Sequence, residues 1–442
     1  MSKSPELRKT IESFVIAAID LVNNDPDDRC QPGDWIDTPG LLFIFSHDKL
    51  KKLPEYRMCR KTLKEDPVIA SQLDVLVGIH VSRSRSPKIE QLMVRLPNFG
   101  IYENEIKFNH EHFEREYSNF ERAFYDDSFN YEVIAPLYGP VFKAPVKIND
   151  VLEICRVSRN DFIPSMKNTA DRDLLANDFL WAVRACYKLP KIVGDDIKSS
   201  LEQSNNNDKM RLRANQTIEQ ILICLRLLGV SNVQLLALVH RTESNLFRDV
   251  RPFPVKYFSA LQYQQELPAD FNRTFVQFWN SFQQEAVNKH KFIDLAAKRF
   301  SYAHERYDWE DRVIDLLIAA EATFLSQPES QNKIGKQISI SKRLKFRAAA
   351  LLGSDSKTRE QIKADISSAY TLRSCIVHGN KKELEKVIIK IEKCEHLGLG
   401  EEYKLRQFTY RIQEYMRAAI CKMIALSSVN KNKKEVVDWN SL

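Results

Sequence analysis

Glycine is scarce in this chain, 12 of 442 residues. Architectures built on many positive-φ turns use more, so the scarcity leans toward helix. Cysteine occurs eight times, but Cys30, Cys59, Cys155, Cys186, Cys224, Cys375, Cys394 and Cys421 are scattered, with no CxxC and no paired spacing. That pattern argues against a disulfide framework and fits reduced thiols in a cytosol. No GxxxxGK[ST] loop, no GxGxxG after a strand, no HExxH and no GxSxG occurs. The common nucleotide-binding, metalloprotease and serine-hydrolase classes are thereby set aside. Long apolar runs are also missing, because Asp20, Arg226 and Asp315 interrupt the best candidates. No membrane span is expected. Met1–Thr10 is polar and charged, without the apolar centre of a signal peptide. The expectation is a soluble, cytoplasmic protein with no membrane partner.

What is present is enough for a globular chain of two to four domains: 43% of residues are hydrophobic. The net charge of +7 and a pI near 8.8 are mildly basic, compatible with nucleic acid without demanding it. Ile11, Phe14, Val15, Ala18, Ile19 and Val22 predict an amphipathic helix over Pro5–Val22. Alternation from Leu73 to Val81 predicts a strand, and Leu92–Phe108 further strand-like pieces. His112–Tyr125 reads as a helix, then Tyr131–Leu137, Val141–Ile154, Phe179–Ile192 and Val233–His240 as strands. Leu201–Asp208 is polar and reads as a mobile loop, and Thr217–Leu228 as a helix. Past Pro268 the pattern is helical almost throughout, with short connections that imply an antiparallel bundle. The fold class is therefore α+β: residues 1–265 form a mixed region with antiparallel strands, 266–430 an all-α bundle, and 431–442 a basic, flexible tail.

One stretch in the bundle carries chemistry. Ser367 to Gly379 reads as the last turns of a helix closed by a glycine at the left-handed C′ position. Ile362, Ile366, Tyr370 and Val377 fall at helical spacing, and Arg373 lies on that stripe. A permanently charged guanidinium against apolar neighbours needs an anionic partner, a second subunit or a groove open to ligand. Arg373 and His378 are five residues apart, about 140° around a regular helix, so they do not share a face. Tyr370, Ser374 and His378 do line up. These residues suit a phosphodiester site; they equally suit a capping histidine and an arginine in a core ion pair.

Other clusters are weaker. Lys333, Lys336, Lys342, Arg343, Lys345 and Arg347 make a basic run without an acid, which suits a phosphate-binding face or a solvated one. His110 and His112 with Glu111 and Glu114, and Cys394 with His396, match no metal-ligand spacing. No metal or cofactor is expected.

The blocks Tyr307–Leu325, Arg347–Gly353 and Tyr370–Gly379, in that order and ending in RSxxVHG (Arg373, Ser374, Val377, His378, Gly379), resemble the ApeA-like branch of the HEPN superfamily. The resemblance covers residues 270–427 and extends weakly upstream to Tyr131–Leu137. It implies a helical bundle that dimerises and, in many members, a metal-independent ribonuclease of phage defence, toxin systems or RNA processing. Arg373 and His378 match the catalytic motif, Ser374 the polar position after the arginine, and Glu321 an acid that orients the arginine. Arg347 and Gly379 match structural positions. Lys342, Arg343, Lys345, Tyr370 and Asn380 become the RNA-binding candidates. HEPN toxins controlled by a partner nucleotidyltransferase carry a tyrosine where this chain has Asn380, so that form of control is not expected. The resemblance implies RNA and a second copy as partners, leaving the N-terminal region to sense a phage or regulatory trigger.

Overall fold

In the computed structural model, residues 3–24, 47–73, 76–78, 84–85, 89–101, 106–158, 179–193, 197–236, 238–242, 264–326, 339–394, 401–429, 436–437 and 439 are described. The class is α+β, with an antiparallel sheet in the N-terminal half and helices toward the C-terminus. The chain divides into two compact units. Met1–Leu137, Lys147–Thr217 and Leu235–Val255 form the first; Tyr138–Val146, Ile218–Gln234 and Lys256–Leu442 form the second. In this division Tyr138–Val146 and Ile218–Gln234 are grouped with the C-terminal residues. The physical reason lies in Ile221–Leu227, seven consecutive residues that are all buried. A helix segment buried on every side must be surrounded, and Arg226 and Leu227 within it meet Ser301, Glu305 and Arg417 of the C-terminal helices.

In the first unit, helix α1 (Pro5–Asn24) buries Leu7, Ile11, Phe14, Val15, Ala18, Ile19 and Val22. It packs with α2 (Pro54–Glu65) and α3 (His110–Tyr125), whose Phe113, Tyr117, Phe120 and Phe124 share the same core. Four strands of a six-stranded sheet run β4–β1–β3–β2, from β1 (Ser128–Tyr138), β2 (Leu152–Ser158), β3 (Phe179–Pro190) and β4 (Val239–Thr242), these pairs all antiparallel. One sequence expectation is corrected here. Leu92–Phe108 begins as helix Ile89–Arg95 and a 3₁₀ turn, Leu96–Gly100, because Leu92, Met93 and Leu96 bury at helical spacing. The strand read over Leu73–Val81 is present at Leu76–Gly78; Leu73 is the C-cap of the preceding helix, and residues 74–75 and 79–81 lie outside the described residues.

Leu201–Asp208 is a further correction: it lies inside α4 (Ile197–Leu227). Extending a helix costs little once a buried segment has nucleated it. Asn207 is itself buried and donates to the Pro190 carbonyl at 3.3 Å.

The second unit contains α5 (Phe271–Phe282), α6 (Lys291–Glu305), α7 (Trp309–Leu325), α8 (Ile340–Leu352), α9 (Ser356–His378), α10 (Lys381–Cys394) and α11 (Glu401–Val429). Phe275, Phe300, Phe324, Phe408 and Met416 fill its core. Lys422 donates to the Leu351 carbonyl (2.8 Å) just before α9 begins, while Arg411 and Tyr415 meet Asp365 further along. Helices α9 and α11 thus run antiparallel. Within the segment read as a flexible tail, the described residues are packed. Val436 and Val437 are buried, and the Trp439 ring stands edge-on to Phe324 at 6.2 Å, so apolar residues anchor it.

Arg226, 1% exposed, is held by the Ser301 carbonyl (2.9 Å) and hydroxyl (2.5 Å), Glu305 (2.9 Å) and the Val233 carbonyl (3.1 Å). Beside it, His304 donates from Nδ1 to the Phe300 carbonyl (3.0 Å), and Gln413 donates to its Nε2 (3.1 Å). Burial, then the charge of Arg226, pushes this imidazole down to about 3 from its ordinary 6.5. The unfolded chain therefore binds a proton that the folded chain refuses between those values. The stability His304 contributes is complete above about pH 6.5 and falls as pH drops toward 3. Urea unfolding at pH 7, 6, 5 and 4 should show that decline, and His304→Gln should flatten it. An unchanged slope in the variant would reject the assignment.

Candidate active site

Helix α9 carries the motif. Asp355 caps its start, accepting from the Thr358 amide at 2.8 Å and its hydroxyl at 2.7 Å. Those hydrogen bonds, the backbone one first, hold the Asp355 carboxyl down at about 2. Its end is a Schellman closure. Gly379 takes φ 66° and ψ 23°, its N–H meets the Ile376 carbonyl, and the Asn380 N–H meets the Cys375 carbonyl at 3.0 Å. The next residue is already committed, since the Asn380 side chain accepts from the Glu383 amide (3.3 Å) and caps α10. An RNA-binding role for Asn380 competes with that hydrogen bond.

The buried face of α9 is Ile362, Asp365, Ile366, Ala369, Leu372 and Cys375. It is rotated from the stripe read in the sequence, because Val377 is 52% exposed and Tyr370 half-buried. Arg373 sits at the margin of this face. Its Nε is buried with no hydrogen-bond partner, and among the described residues it makes no ion pair. His378 is exposed on the final turn, and Ser374 is half-buried between them in sequence. No hydrogen bond joins Arg373 to His378. Glu321, half-buried on α7, makes no ion pair or hydrogen bond with Arg373 either. The structure brings three motif residues to one helix end and leaves the acid apart.

The acid that sequence reasoning missed is Asp365. It is buried and accepts from Arg411 Nε (2.9 Å) and Nη2 (3.2 Å), the Tyr415 hydroxyl (3.0 Å) and Gln361 (3.1 Å). Burial, then the Asp365 charge, drives the Tyr415 phenol upward. The available signal was a carboxylate between Ile362 and Ile366. The other basic candidates lie on α8. Lys342 is exposed, Arg343 and Lys345 are half-buried, and the Lys345 ammonium sits 5.8 Å from the Phe346 ring centre. Arg347 is turned inward, donating to the Phe324 carbonyl at 2.6 Å with its guanidinium 5.0 Å from the Trp439 ring. Among the described residues, no three His, Cys, Asp or Glu group as a metal site, and no helix is long and apolar enough to cross a membrane.

The two charged positions on α9 should behave oppositely. Asp365→Asn strands Arg411 and should cost about 2 kcal/mol or more in urea unfolding. Arg373→Leu removes a cation with no counter-charge and should cost less than about 1 kcal/mol, or stabilise. Equal losses would refute the unpaired state of Arg373. No family description, curated protein or solved structure matches this chain.

Proposed function

We propose that the helical unit is a metal-independent endoribonuclease of the ApeA-like HEPN type, acting on RNA in the cytoplasm. What supports this reading is the end of α9, where an exposed imidazole follows, five residues on, an arginine whose buried Nε has no partner. Charge that is not neutralised inside the fold is available to a substrate phosphate. In such a cleavage the RNA 2′-oxygen gives its proton to an imidazole and attacks the adjacent phosphorus. The bond to the 5′-oxygen breaks, and that oxygen takes up a proton. The products are a 2′,3′-cyclic phosphate and a 5′-hydroxyl. His378 would move protons, since imidazole exchanges them near neutral pH. Arg373 would stabilise the charge growing on the phosphoryl oxygens, with Ser374 beside it.

One helix does not turn Arg373 and His378 to the same side, and one imidazole does not serve both proton transfers at once. A homodimer answers both needs, the second copy supplying what the first lacks. Phage defence or a toxin-like stress response is the setting the resemblance implies, with the first unit sensing the trigger. One observation favours a non-catalytic RNA-binding or assembly platform instead: no hydrogen bond or ion pair links Arg373 with His378 or Glu321.

The full-length protein incubated with mixed RNAs in EDTA should leave cyclic phosphate ends. Loss of cutting that Mg²⁺ or Mn²⁺ restores would reject the mechanism. His378→Ala should slow cleavage by about 100-fold or more, and Arg373→Ala by a similar factor. Variants that cut like the parent would leave the platform reading standing. Light scattering at micromolar concentration should report a dimer; a monomer with full activity would overturn the shared site.

A further inference from the structure

Phe346 on α8 is 45% exposed although it belongs to a helix with a well-filled core side. Two ammonium groups flank its ring: Lys363 Nζ lies 4.9 Å and Lys345 Nζ 5.8 Å from the ring centre. Lys363 keeps a single carboxylate, the exposed Glu360 at 2.7 Å, and Lys342 is exposed one turn before Phe346. An exposed aromatic face bordered by cations presents two chemistries together, a surface for a flat ring and charge for phosphates on either side of it.

Helix geometry connects this patch to the motif. Counting 100° per residue from Lys363, Tyr370 lies about 20° to one side, Ser374 about 20° to the other and His378 about 60° around. These four share one outward face, and none of their side chains lies in the buried set of α9. At 1.5 Å per residue, Tyr370, Ser374 and His378 are about 10, 16 and 22 Å along the axis from Lys363. Phe346 therefore stands at one end of a strip that ends at the imidazole, with a second aromatic, Tyr370, between them.

We infer that Phe346, with Lys345 and Lys363, is a stacking platform for an unpaired base of single-stranded RNA, whose backbone follows the α9 face toward His378. The assignment rests on the ribonuclease reading for its direction along the strip, and on its own geometry for the platform. Bases in a duplex are stacked on each other and do not offer a face to a side chain, so the platform selects unpaired strands. An acidic peptide would meet the lysines but would have no use for the ring.

The test uses the full-length protein carrying His378→Ala, so that cleavage does not consume the probe. Fluorescence anisotropy is measured with a labelled single-stranded RNA, a matched RNA duplex and a poly-glutamate competitor. Phe346→Ala should weaken single-strand binding roughly 5- to 100-fold, the range of one lost base–aromatic stack, and leave duplex binding unchanged. Phe346→Tyr should restore it. In a Phe346→Trp variant, added single strand should quench the new indole emission, a readout that also guards against misfolding of the alanine variant. Unchanged single-strand binding in Phe346→Ala, equal losses on duplex, or displacement of the strand by poly-glutamate at equal charge would each overturn the platform. Binding that depends on Phe346 in a parent protein that cuts no RNA would uphold the platform and sink the ribonuclease reading.

Discussion

The carboxylate of Asp365 fixes how α9 is turned. It is buried and satisfied by Arg411, Tyr415 and Gln361, three donors from two helices. A buried carboxylate tolerates little movement away from such partners, because each hydrogen bond lost would leave charge or a polar atom without water. With Asp365 facing α11, the helix period sends Ile362, Ile366, Ala369 and Leu372 inward as well. Tyr370, Ser374 and His378 are carried to the other side. The orientation of every candidate functional residue on α9 follows from this one ion pair and its apolar flanks.

Several arginines in the second unit tie distant elements together. Arg226 and Arg347 are buried and spend their donors on carbonyls of neighbouring helices; Arg226 also reaches Glu305. Arg411 is spent on Asp365. These three join elements that lie far apart in sequence, and in each the hydrogen bonds offset the cost of taking charge out of water. Arg373 lies at a burial margin with its Nε unsatisfied. The Nε of Arg226, Arg312 and Arg343 is likewise buried without a partner, so what sets Arg373 apart is that, among the described residues, no hydrogen bond or ion pair reaches any of its nitrogens.

The helical part was largely legible from the chain. Val313, Leu316, Leu317, Ala320 and Phe324 place α7, and Gly379 marks the end of α9, where the structure has a left-handed residue. Patterns of this kind live within one helix, where apolar spacing and a permissive C′ residue act over a few residues. Polarity misled where it was taken for mobility. Leu201–Asp208 is helical because a buried segment of the same helix carries it, and the tail holds Val436, Val437 and Trp439 against the core.

What the sequence determined alone was the local repertoire: which stretches are helix or strand, where α9 stops, and that Arg373, Ser374 and His378 stand at fixed angles on it. Tertiary structure decided the rest. It gave the deep carboxylate contact to Arg411 instead of Arg373, left Glu321 unpaired with the motif, turned Arg347 inward and exposed Phe346 beside Lys363. It also drew Tyr138–Val146 and Ile218–Gln234 into the second unit. The reason is physical. A helical period is set by hydrogen bonds four residues apart, while the choice of facing partner sums many weak contacts between helices distant in sequence, and no single stretch encodes that sum.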